Sequence, residues 1–170
     1  MRKQNTAQRF VLVLSGAREP SEELEDALYE AGCDDALLVF RNQVGYLEFE
    51  RVGDNFQEAV LSALEETESA GLGISVDHVE PGDLVNASEI GRRLSFSREY
   101  VRLLIAGKRG KGAFPIPISG VVGSLTLWSW AEVASYLHEC GMMHDEQIVR
   151  DAEFIRNVNA RWLRPLRLSV

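Results

Sequence analysis

Cysteine is scarce in this chain. Two residues in 170, Cys33 and Cys140, stand at a spacing that matches neither a zinc site nor a redox pair, and they fit a reducing cytoplasm. No apolar run approaches the roughly 18 residues that a membrane span needs, so no membrane partner is expected. The opening stretch MRKQNTAQRF is charged and lacks a cleavage-like site, so no signal peptide is expected and the predicted location is cytoplasmic. His78, His138 and His144 have no ligand-like spacing. No metal carboxylate set, nucleophile–base pair or G-x-x-x-x-G-K-[ST] loop is present. The expectation is therefore a protein with no enzymatic activity, no metal and no cofactor. Positive charge is also in deficit, with 18 Lys+Arg against 26 Asp+Glu and a net charge of -8, which taken whole argues against nucleic acid.

The charge is unevenly spread, and that reverses the argument. Residues 1–80 carry 6 Lys+Arg and 17 Asp+Glu, whereas residues 81–170 carry 12 and 9. Within 91–111 there are seven cations (Arg92, Arg93, Arg98, Arg102, Lys108, Arg109, Lys111) and one acid, Glu99. Attraction to DNA depends on local potential as well as on net charge, so an acidic module joined to a locally basic one predicts two different partners.

In the acidic part, Phe10-Val-Leu-Val-Leu14 predicts a buried strand. Ser21 then caps a helix with Leu24, Ala27, Leu28 and Ala31 on one face, stopped by Gly32. Ala36–Phe40 and Tyr46–Val52 predict a hairpin around Asn42–Gly45. Asn55 and Glu58 form an Asn-led capping box for a second helix, on which Glu65, Glu66 and Glu68 read as a solvated face. Ile74–Val79 predicts a fourth strand. The order β-α-β-β-α-β is the split-βαβ, ferredoxin-like pattern, whose sheet leaves one face open for pairing or for a partner. It has neither a cysteine cluster for iron–sulfur nor paired strand aromatics resembling an RNA platform. Asp34-Asp35 reads as a helix-end turn.

The basic part begins after the turn Pro81-Gly82-Asp83. Asn86 with Glu89 caps a helix over about 87–94, Ser95-Phe96 makes a turn with Phe96 as its apolar plug, and Ser97 caps a second helix. Apolar residues at 90, 94, 96, 101 and 104, with the small Gly91 where the helices cross, follow the helix-turn-helix spacing. That spacing leaves Ser97, Arg98, Glu99, Tyr100 and Arg102 for base edges in the major groove, with Arg92 and Arg93 within reach of phosphate. Lys108, Arg109 and Lys111 alternate with Gly107, Gly110 and Gly112, which lets amides and cations approach phosphates closely. Ile116–Ser119 and Leu125–Trp128, around Gly120–Gly123, predict a hairpin wing. Ser129 with Glu132 caps a helix seated by Val133 and Leu137, and Trp128 and Trp130 read as core residues rather than base stackers.

The run NASEIGRRLSFSREYVRLLIAGKRGKGAFPIPI, followed by LWSWAEVASYL, resembles the small helix-turn-helix regulators of bacteria and phages in the excisionase and MerR-like winged group. The resemblance covers about residues 84–139. Gly107-Lys-Arg-Gly110, Phe114-Pro-Ile-Pro117 and Trp128-Ser-Trp130 match the family's pattern, while Gly91 replaces its alanine and Ser95 its turn glycine. The resemblance implies sequence-specific binding of duplex DNA and no enzymatic activity.

Asp145 to about Leu163 predicts a last helix, with Arg161, Arg164 and Arg167 at its end and a role in core packing or dimerisation. The predicted architecture is α+β. It comprises an acidic ferredoxin-like module over 1–82 for a partner or dimerisation, a winged helix-turn-helix over 83–141, and a C-terminal helix over 142–170. The predicted function is a DNA-binding transcriptional regulator, a homodimeric autorepressor at its operator. It could serve as the antitoxin of a toxin–antitoxin pair or as an autoregulator of the anti-CRISPR-associated type, with a protein partner at the acidic module. The alternative is a protein-interaction or ligand-sensing module that does not bind DNA.

Overall fold

The computed structural model describes residues 6–120 and 122–162. Arg164 and Arg167 lie outside the described residues, as does Val121 in the turn of the expected wing. The protein is mixed α+β, with a four-stranded antiparallel sheet and six helices among the described residues. None of these helices is long and apolar enough to cross a membrane. The chain divides into two compact units. One runs as far as Pro81 and resumes at Asn157; the other is Gly82–Arg156. The final helix, expected as part of a separate segment from 142, is thus shared between them.

The first unit follows the order β1 (Thr6–Ser15), α1 (Glu22–Glu30), β2 (Ala36–Arg41), β3 (Val44–Gly53), α2 (Phe56–Ser69) and β4 (Ser75–Glu80). Its strands lie in the order β2-β3-β1-β4, every neighbour antiparallel. Alternation along the strands buries Phe10, Leu12, Leu14, Leu47 and Phe49, together with Leu24 and Leu28 of α1 and Val60, Ala63 and Leu64 of α2. The Ser21 hydroxyl accepts the Leu24 amide at 3.2 Å and the Asn55 side chain accepts the Gln57 and Glu58 amides, so both helices start at the residues their capping chemistry predicts. Asn42 and Gln43 both take positive φ, which closes the two-residue β2–β3 hairpin between the paired Arg41 and Val44.

Two acids read as a solvated face, Glu66 and Glu68, make hydrogen bonds within the fold. Arg51, its side chain 13% exposed, donates to both carboxylate oxygens of Asp35, to Glu66 at 2.7 Å and to the Ser62 hydroxyl. Glu68 accepts the Val76 amide. Asp35 is therefore one arm of a charge network rather than a bare turn residue. The outer edge of β4 is also covered. The Asn159 amide accepts from the Val79 N–H at 2.8 Å and donates to the Val79 carbonyl at 3.0 Å, satisfying backbone groups that an edge strand leaves open.

The second unit contains β5 (Leu84–Val85), α3 (Ala87–Leu94), α4 (Arg98–Ile105), β6 (Trp128–Ser129), α5 (Trp130–Glu139) and the greater part of α6 (Glu146–Trp162). Its core joins Val85, Ile90, Val101, Leu104, Trp128, Trp130, Val133, Leu137 and Ala152. The expected wing is corrected to a single bridge, Ser119 with Leu127. Pro115 and Pro117 bring no N–H to a ladder, and Trp128 and Ser129 pair instead with Val85 and Leu84. Asp83 fixes the start of α5, its carbonyl accepting the Trp130 amide and its carboxylate the Ala131 amide.

Candidate nucleic-acid interface

The basic cluster is built on α3, α4 and the loop after them. Asn86 accepts the Glu89 amide at 2.9 Å and Ser97 accepts the Tyr100 amide at 3.1 Å, which sets the first turn of each helix. Between them Ser95 lies in the left-handed region (φ 55°, ψ 35°), and the Phe96 amide reaches back to the Gly91 carbonyl at 2.9 Å. This is the hydrogen bond that closes a Schellman turn, with serine where glycine is the usual residue. A methyl on Gly91 would sit 3.0 Å from the Phe96 carbonyl and 3.5 Å from Val101, so the turn and α4 press close upon α3 there.

α4 ends in a second Schellman turn. Lys108 N–H bonds the Leu103 carbonyl, Gly107 N–H bonds the Leu104 carbonyl, and Gly107 has φ 70°. The basic loop thus starts directly from the last turn of α4. Gly110, also at positive φ, packs so close to Tyr136 that an added Cβ would meet its buried hydroxyl.

The ten residues assigned to DNA separate into distinct groups. Arg98, Lys108 and Arg109 are exposed, with no side-chain partner among the described residues. Arg102 is exposed but gripped by Glu99, Nε to Oε2 at 2.9 Å and Nη2 to Oε1 at 2.6 Å. The same grip, led by its hydrogen bond, holds the Glu99 carboxyl below the usual carboxylate range. Arg92 is exposed and held in the same way by Glu89. The Lys111 ammonium donates to the Glu139 carbonyl at the end of α5.

The remaining three are committed to the fold. Arg93, 14% exposed, bonds Glu89 at 3.0 Å and the Gly82 carbonyl at 3.3 Å, and lies 5.0 Å over the Trp130 ring. Ser97 is the cap of α4. Tyr100, expected on the open side of α4, is half-buried with its ring 4.8 Å from Phe96 and packs on the core. The reason is helical pitch: Tyr100 lies beside Val101 and three residues before Leu103, at the margin of the apolar stripe.

Glu89 does more than its place in the capping box indicates. Beyond following the cap, it accepts from both Arg92 and Arg93, and those hydrogen bonds, Arg92's first, draw its pKa down to about 2. Its i,i+3 and i,i+4 spacing from two arginines was the available signal. Trp128 and Trp130 are buried, and the Trp128 indole donates to the Pro115 carbonyl at 3.1 Å.

Comparison with protein-family models, with curated proteins and with solved structures finds no match.

Proposed function

We propose that this protein is a sequence-specific DNA-binding transcriptional regulator, an autorepressor acting as a homodimer on its operator. In this reading Gly82–Arg156 is a helix-turn-helix module related in design to winged regulators. The first unit is a ferredoxin-like module that takes a protein partner, as an antitoxin would. The single observation that carries the reading is the set of exposed cations Arg98, Lys108 and Arg109, which have no side-chain partner among the described residues, on α4 and on the loop launched from its last turn. A cation without an internal partner attracts phosphate at little cost in lost contacts, and an eight-residue capped helix packed across another is the size that enters a major groove.

The test is binding of the full chain to the duplex upstream of its own gene, followed by fluorescence anisotropy at several salt concentrations. If Arg98, Lys108 and Arg109 each displace one counterion, log K falls against log salt with a slope of about -2.7 per protomer. Absence of binding at low salt rejects the proposal. A second reading, a protein-interaction or ligand-sensing module without DNA binding, draws support from an open groove of about 790 Å³ on the first unit, lined by Val11, Leu37, Glu48, Glu50 and Glu80 among others. It predicts binding that requires this groove and ignores Arg98.

A further inference from the structure

Glu99 and Arg102 lie one turn apart on the exposed side of α4, 64% and 61% exposed. The carboxylate takes the Nε and Nη2 hydrogens of the guanidinium, at 2.9 and 2.6 Å. A guanidinium has five donors in a planar fork, and this engagement uses its lateral edge. Among the described residues no other partner takes the distal edge, between Nη1 and Nη2, and the two bonds set the plane of the fork. That edge matches guanine O6 and N7. The carboxylate also offsets the charge of Arg102, which leaves the pair poorly suited to a phosphate. Arg98, Lys108 and Arg109 have no such carboxylate partner among the described residues.

We infer that Glu99 is a positioning residue that aims the distal edge of Arg102 at a guanine, so that this pair reads one G·C base pair while Arg98, Lys108 and Arg109 supply attraction common to all sequences. The inference rests on the proposed role of α4 in reading DNA. It assigns the specificity to two residues that contribute almost nothing to the salt dependence of binding.

The experiment is selection from a randomised duplex library with the full-length chain, comparing the wild type with Arg102→Ala, Glu99→Ala and Lys108→Ala. All three positions are exposed, and thermal melting verifies that each variant folds. The wild type is expected to enrich a motif with an invariant G·C pair. Arg102→Ala should lose preference at that pair by roughly 5- to 150-fold, the range for one bidentate arginine–guanine contact. Glu99→Ala should weaken preference at the same pair and leave the other positions intact. A double variant, Glu99→Ala with Arg102→Ala, should leave the salt slope unchanged, whereas Lys108→Ala should flatten it by about 0.9 and weaken all sequences alike.

A motif that Glu99→Ala leaves untouched overturns the inference while DNA binding stands. So does a change at a different base pair, because Glu99 would then contact its own base directly. A wild type that enriches nothing and binds no duplex at low salt overturns the proposed function along with it.

Discussion

Arg93 and Arg98 are the same residue type, five positions apart in one basic cluster, and the structure gives them opposite duties. Replacing Arg93 with methionine keeps the aliphatic stem and removes the charge. It deletes a partly buried ion pair to Glu89, a charged hydrogen bond to the Gly82 carbonyl and a guanidinium over Trp130. These contribute on the order of 1, 1 and 0.5 kcal/mol, so the variant should lose about 2–3 kcal/mol. With a urea dependence of about 2 kcal/mol per molar, the midpoint should fall by about 1 M. Tryptophan fluorescence is the assay, since Trp128 and Trp130 are both buried in the second unit and Trp130 lies beneath Arg93. Arg98→Met should move the midpoint by less than about 0.25 M and weaken DNA binding instead. Should Arg93→Met keep the wild-type midpoint yet abolish DNA binding, the clamp assigned to Arg93 is wrong.

Ser95→Gly should stabilise the second unit by about 0.5–1 kcal/mol, because glycine adopts the observed left-handed backbone without the Cβ penalty; a lower melting temperature would refute the assigned turn. Arg51→Met should cost about 3 kcal/mol by leaving Asp35 and Glu66 without their shared cation, and a double-mutant cycle with Glu66→Gln should return a coupling of about 1 kcal/mol. His78 bonds Glu80 at 3.0 Å and Asp77 at 2.8 Å, and these contacts, Glu80's first, raise its pKa from 6.5 to about 8. A raised histidine stabilises the fold fully below pH 6.5 and loses that contribution as pH rises through 8. With the side chain 32% exposed, about 1 kcal/mol should disappear between pH 6 and pH 9 in the wild type and be absent in His78→Gln.

Much of the scaffold was legible because its signals are local. Ser21, Asn55, Asn86, Ser97 and Ser129 were each read as helix caps, and each accepts an amide two or three residues on. Such contacts close within one turn and depend on little beyond their own neighbours. The strand order along the chain and the mixed α+β class followed from periodicity in the same way, since alternation and helical spacing are set by backbone geometry.

The allocation of like residues between fold and surface was not legible, because it depends on segments far apart in the chain. Arg93 is taken by Gly82 and Trp130, Lys111 by Glu139, and Arg51 by Asp35 and Glu66. The expected wing narrows to the Ser119–Leu127 bridge for a related reason. Trp128, the last residue of its second strand, pairs with Val85, more than forty residues upstream, and Pro117 in its first strand has no N–H to give a ladder. A cation's sequence neighbours report its charge. Only packing determines whether that charge is already satisfied, and in this protein it leaves Arg98, Lys108 and Arg109 without a partner among the described residues.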